Sequence, residues 1–276
     1  MPDAPIALAP GGGEILSKTS GSSRIKAARD ELLLIEAASA SGERGARPHI
    51  HGEHADAFYV LDGELVFHFA GEQRSLRTGA FVLAPPGLVH GFDVGSEGAR
   101  YLNIHAPGGG YAKLTRARRD GIEFDAAEGD TFSAPADGGR PASDGIVLGP
   151  GEGENLGTTV IKAGLRQVSV LEFELRPGGG VQPHFHKGHS DSFFVLEGEV
   201  EFHVGDEVVP GTVGSYVLAP PHVVHYFRNV SEKPARILNL HTPGGFAEYR
   251  RELESLRAQG VEPDRDFFER HDIFDV

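Results

Sequence analysis

Short apolar runs, broken by glycine or proline about every 8 to 12 residues, set the rhythm of this chain. Inside the runs polarity alternates. Leu65, Phe67 and Phe69 are interleaved with Val66 and His68, and Val200, Phe202 and Val204 with Glu201 and His203. A period of two puts the apolar set on one face of a half-buried strand and turns His68 and His203 toward solvent. Two stretches depart from this rhythm and read as helices. They cover about 109–119, stopped near Gly121, and about 246–259, stopped by Gly260, since glycine takes the left-handed conformation that ends a helix. Some ten short strands and then a helix, twice over, imply an all-β barrel or sandwich.

The two halves are copies. Residues 48–64 and 183–199 agree at 10 of 17 positions, and residues 79–90 and 214–225 at 8 of 12, both at an offset of 135. Forty-three residues thus align without a gap, which implies duplication. The copy extends to Leu8-Ala9-Pro10-Gly11 against Leu148-Gly149-Pro150-Gly151, and to Asn103-Ile104-His105 against Asn239-Leu240-His241. The Gly-, Ala-, Pro- and Asp-rich stretch 126–145 reads as a linker, so the expected domains are 1–125 and 146–276.

The 276 residues include no cysteine, which excludes disulfides and thiolate metal sites and fits a reducing cytoplasm. Met1–Pro10 lacks the basic and apolar regions of a secretory signal, and no apolar stretch reaches 18 residues. A formal charge of −14 would repel a polyanion, so neither nucleic acid nor membrane is expected as a partner. What stands out is 14 histidines.

His49 and His51 are two apart, so on a strand their imidazoles share a face. Asp56 follows the polar turn Gly52-Glu53-His54, where a hairpin would return it to the pair; His90 follows Pro85-Pro86 on a later strand. The second half repeats the set as His184, His186, Asp191 and His225. Three imidazole nitrogens and one carboxylate suit a divalent transition metal, two per chain, with Fe, Mn or Ni favoured and Zn or Cu compatible; Ca and Mg prefer oxygen ligands. As structural histidines these would have no reason to recur at ligand spacing twice. His54 and His189, in the turns, are expected at the surface, with a place behind the ligands or a part in proton transfer as the alternative; for His105 and His241 a place near the barrel mouth and a place away from it are equally open. Phe58, Val60, Phe92, Phe193, Val195 and Phe227 share parity with the ligands, so they belong to the core, and any that line a cavity would make it apolar and partly aromatic.

The spacing H-x-H, four residues, an acid, six residues, Gly, followed by G-x5-P-x-G-x2-H, resembles the two motifs of the cupin superfamily. Residues 49–63 and 79–90 carry it once, and 184–198 and 214–225 again. The resemblance implies two tandem cupin barrels of jelly-roll (double-stranded β-helix) type, each with a short C-terminal helix, in a bicupin similar to the quercetinase-like dioxygenases. Three departures stand out: the usual Glu is Asp56 and Asp191, the Gly of the second motif is His222, and the closing Asn is present as Asn229 but replaced by Val94. An aspartate is one methylene shorter than glutamate, so weaker or water-mediated coordination is expected of it.

That resemblance implies a metal-dependent oxidoreductase of dioxygenase type acting on a small organic substrate, aromatic or flavonoid-like, with Asp56 or Asp191 as catalytic base. A metal-dependent isomerase or polyketide-type cyclase, and a non-catalytic metal- or ligand-binding bicupin, are the alternatives. No cluster of Lys and Arg accompanies either motif, which disfavours a phosphosugar. Two barrels in one chain can replace the dimer of single cupins, leaving monomer and homodimer both open.

Overall fold

The computed structural model describes residues 4–17, 22–69, 72–135 and 144–276. Strands dominate, and among the described residues no helix is long and apolar enough to cross a membrane. The chain forms two compact units, residues 13–152 and residues 1–12 with 153–276.

The first unit is built on two long strands, Ala55–Phe69 and His90–Ala106, paired antiparallel along most of their length. Register shifts between Val60 and Asp62 and between Gly63 and Leu65 bend the pair around the core. Gly63 occupies φ +77°, and a Cβ there would lie 2.1 Å from the Gly98 carbonyl oxygen, which is why the first motif ends in glycine. Leu33–Ser39 flanks the pair on one side and Phe81–Ala84 on the other. Inside, Phe58, Val60, Leu65, Phe67, Phe92 and Tyr101 form one core.

The second unit repeats the plan with each long strand divided. Ser190–Glu197 and Ala235–Thr242 lie in one sheet, and Glu199–Val204 and His225–Arg228 in a second. Phe193, Val195, Phe202, Val217, Phe227 and Ile237 fill the interior. Val200, Phe202 and Val204 are buried, whereas Glu201 and His203 are partly exposed, as the alternation requires.

The division of the chain differs from one at 126–145. Ile6–Leu8 pairs with Tyr216–Ala219 in the second unit, and Ile146–Leu148 pairs with Phe81–Ala84 in the first. Both are the repeated Leu-x-Pro-Gly segments. Each covers the edge of a strand that would otherwise end its sheet, and satisfying that edge outweighs proximity in sequence. Part of the stretch expected to be linker is also structured. Ala126–Gly129 is a 3-10 turn and Thr131–Ser133 is a strand paired with His49–His51, while 136–143 lie outside the described residues.

Helix α1, Gly109–Asp120, ends on Gly121 at φ +67°, and α2, Phe246–Ala258, is followed by Gly260 at φ +69°, as expected. A third helix, α3 (Arg265–Arg270), has Asp264 as its cap, its side chain accepting the Phe267 N–H at 2.8 Å.

His222 replaces the glycine of the second motif yet keeps its conformation, φ +69° against +81° for Gly87. The reason lies in the main chain: Gly87 N–H donates to the His51 carbonyl at 2.7 Å, and His222 N–H donates to that of His186 at 2.6 Å. A residue with a Cβ carries strain in this region. His222→Gly should therefore raise the unfolding free energy by about 1 kcal/mol, measured by chemical denaturation.

Candidate metal centres

Register brings the four side chains of each set together. His49 stands directly opposite His90, and His184 opposite His225, across antiparallel pairs. Asp56 and Asp191 open the next strands. In the first barrel His49 Nε2 is 3.1 Å from His51 Nε2, and Asp56 Oδ2 is 3.2 Å from His90 Nε2 and 3.6 Å from His51 Nε2. In the second, Asp191 Oδ2 is 3.2 Å from His225 Nε2 and 3.8 Å from His186 Nε2. In each set, four potential ligand atoms lie within 4.8 Å of one another.

The other ring nitrogens fix the tautomers. Nδ1 of His49, His51 and His90 lies 2.8, 2.9 and 2.8 Å from the carbonyls of Arg47, Asp130 and Leu88. Nδ1 of His184, His186 and His225 lies 2.8, 2.6 and 2.9 Å from those of Gln182, Asp272 and Val223. A carbonyl only accepts, so each Nδ1 carries the proton and each Nε2 turns a lone pair inward. Lone pairs facing each other at 3.1 Å repel, and the buried His186 Nε2 has no hydrogen-bond partner. A cation among these nitrogens removes both defects, so the residues fit a metal.

Burial, reinforced by neighbouring imidazoles, pushes His49 and His184 down to about 4, which makes them neutral ligands at pH 7. Burial also disfavours a charge on His186, but Asp191 and Asp272 outweigh it and hold its pKa above the ordinary value. For Asp56 and Asp191 burial opposes ionisation. The imidazoles around each, His105 and His241 foremost, overcome it and hold both carboxyls well below the usual range.

A second layer holds the aspartates. Asn103 Nδ2 donates to Asp56 Oδ1 at 2.5 Å and Asn239 Nδ2 to Asp191 Oδ1 at 2.5 Å. His105 and His241 stand 3.6 and 3.2 Å from the same oxygens, stacked against Tyr111 and Phe246 at 3.9 and 3.6 Å between ring centroids. The Asn-x-His repeat was their signal. With Oδ1 clasped, Oδ2 is left to face the imidazoles.

Two residues had no legible role in the sequence, Asp130 and Asp272. Both lie at positive φ, 54° and 60°. Their carbonyls accept from Nδ1 of His51 and His186, and their carboxylates accept main-chain N–H groups of the turn, Gly52, Glu53 and His54 in one barrel and Lys187 and Gly188 in the other. The repeated Asp-x-Phe, Asp130-Thr131-Phe132 and Asp272-Ile273-Phe274, could have revealed them, but it is out of step with the 135-residue offset.

His54 is 2% exposed, not at the surface: its Nδ1 lies 2.9 Å from Asp130 Oδ2. His189 is half-buried, 2.6 Å from Asp272 Oδ2. Asn229, fully buried, donates to the Leu175 and Lys233 carbonyls and secures a turn. His68 and His203 pair with Asp93 and Glu201 at the surface, both at 2.8 Å. His68→Ala and His203→Ala should leave metal content unchanged and stability within about 0.5 kcal/mol, as read by elemental analysis and thermal melting.

Beside the second cluster is a cavity of about 450 Å³ whose wall includes His184, Asp191, Phe193, Phe227 and Phe246. Val195 is core, as are Phe58, Val60 and Phe92 in the first barrel.

The cupin domain family matches residues 37–105 and 171–241. Quercetin 2,3-dioxygenase of Bacillus subtilis is 25% identical over 259 residues, covering 80% of this chain and 77% of that protein. Among solved structures, AerE from Microcystis aeruginosa superposes with a TM-score of 0.60 at 15% identity, over 86% of this chain and 98% of that one. Oxalate decarboxylase from Bacillus subtilis gives 0.60 at 14% identity, over 97% and 87%. With the family matched in both halves, and each match enclosing one His/Asp cluster, the chain belongs to the cupin family and is a bicupin.

Proposed function

We propose that the protein is a metal-dependent oxidoreductase of dioxygenase type, acting on a small organic substrate held in the second barrel. The observation that carries this reading is the cluster of three inward lone pairs and one carboxylate beside an aromatic-walled cavity. His49, His51, Asp56 and His90 would hold one divalent transition metal, and His184, His186, Asp191 and His225 a second, with Fe, Mn or Ni favoured. Such a metal supplies Lewis acidity and redox capacity.

The chain's own residues do the rest. Phe193, Phe227 and Phe246 bind the apolar body of the substrate and exclude water from the cavity. The carbonyls at each Nδ1 hold the imidazoles in their inward tautomer. Asn239 fixes Asp191 Oδ1, so that Oδ2 is the oxygen that receives a substrate proton. The similarity to quercetin 2,3-dioxygenase supports oxygen chemistry over isomerisation.

Elemental analysis of protein purified without chelator should give two metals per chain, and dioxygen uptake should follow addition of quercetin or catechol to Fe-, Mn- or Ni-loaded protein. Full loading with no dioxygen uptake on any metal would overturn the oxidoreductase reading and leave Lewis-acid chemistry.

A further inference from the structure

The wall of the same cavity, which also includes Arg257 and the carboxylates Glu174, Asp191 and Asp275, holds a cation that forms no salt bridge among the described residues. Arg250, on α2, is half-buried in its wall together with His184 and Asp191. One nitrogen, Nη2, donates to the neutral Thr159 hydroxyl at 2.8 Å, and the guanidinium carbon lies 5.8 Å from the Phe173 ring centre. Nε has no hydrogen-bond partner, and among the described residues no carboxylate forms a hydrogen bond or salt bridge with the group, Glu254 on the same helix acting on it only at longer range. The next residue shows the contrast: Arg251, at the surface, holds Glu154 at 2.8 Å and Glu248 at 3.2 Å. Withdrawing a guanidinium from water without a partner is costly, and a ligand that brings a negative charge offsets the cost.

The duplication shows that this arginine is no requirement of the fold. In the first barrel, Tyr111 stacks on His105 as Phe246 stacks on His241, and Arg116 holds Glu14 as Arg251 holds Glu154. The residue before Arg116 is Thr115, whose hydroxyl donates to its own helix at Tyr111 O. Where the first barrel has Tyr101 opposite Val60, the second has the smaller Ile237 opposite Val195. The second barrel has the arginine and, in its core, the smaller side chain.

We propose that the second barrel binds an aromatic or similarly apolar carboxylic acid, its carboxylate on Arg250 and its apolar body among Phe173, Phe193, Phe227 and Phe246. This rests on the reading of that barrel as the substrate-binding one. A planar guanidinium matches a carboxylate in a two-point contact, and Thr159 fixes its orientation.

The test is calorimetric titration of metal-loaded and metal-free protein with benzoate, phenylacetate and 3-phenylpropionate, each against its neutral amide. At least one acid should bind more tightly than its amide. Arg250→Gln should weaken that acid about tenfold or more while metal content and the amide's affinity stay constant. Arg250→Lys should fall between, and Arg251→Gln, which removes only the surface pair, should match wild type. Binding of none of the acids, or acid binding indifferent to Arg250→Gln, overturns the proposal. Acid binding lost on metal removal but kept in Arg250→Gln also overturns it and leaves the metal-centred function standing. Arg250-dependent binding in a chain that takes up no metal upholds the proposal and overturns that function instead.

Discussion

Asp191→Ala should empty the second metal site as completely as His186→Ala, and Asp56→Ala should do the same in the first. The shorter acid suggested a weak or water-mediated contact. Strand geometry removes that reason: Asp191 is paired across the sheet with both Ala219 and His241, so its main chain already lies close to the cluster. Oδ2 stands 3.2 Å from His225 Nε2, a spacing suited to two atoms on one ion, and Asn239 restrains Oδ1 at 2.5 Å. Asp191→Ala removes a ligand and the only negative charge among the four, so its affinity loss should exceed the roughly 10–100-fold typical of an outer partner. Asp191→Asn keeps the shape and should keep more metal, while turnover falls further than metal content because an amide is no base. Asp191→Glu must place an extra methylene in a site that is fully buried and clasped, so it should bind metal more weakly than wild type. Paired metal titration and activity on these variants decide the matter. Asp191→Ala retaining metal within tenfold of wild type would return the aspartate to a water-mediated role.

Asp272→Ala should cost metal affinity in the second barrel by about 10–100-fold and unfolding free energy by on the order of 2–4 kcal/mol. One side chain closes the turn after His186, accepting from Lys187 N and Gly188 N at 2.9 and 2.8 Å and meeting His189 Nδ1 at 2.6 Å. Its removal leaves these donors without a partner and loosens the carbonyl that orients His186. Asp272→Asn tolerates the left-handed conformation and keeps an acceptor, so it should recover most of the loss. Asp272→Gly is free of strain in the left-handed backbone but lacks the carboxylate, so it should recover less than asparagine does. Asp130 should repeat the pattern around His51. Denaturant melts and metal titration on the three variants test this, and an Asp272→Ala protein with wild-type affinity would show that the imidazole is held by its neighbours alone.

How far the sequence reaches depends on the range of the physical cause. Strand alternation around Phe67 and Phe202, helix ends at Gly121 and Gly260, and the H-x-H geometry are local, and each is written within a few residues. Duplication made the eight His and Asp side chains legible as two sets, because a chemical requirement repeated at one offset stands out from solvent-exposed histidines such as His68. The cupin barrel follows from these. The tertiary structure decided what depends on partners distant in sequence. Ile6–Leu8 and Ile146–Leu148 each found a sheet edge more than 60 residues away, so unit boundaries could not follow composition. His54 became buried because Asp130, 76 residues on, accepts both its main-chain N–H and its ring. Arg250 is ordinary in a helical sequence and becomes a candidate anion site only because folding half-buries it in the wall of the cavity beside the second His/Asp cluster without a salt bridge. A short-range pattern prescribes which atoms a site contains; long-range pairing determines which of them are buried, oriented and left unpaired.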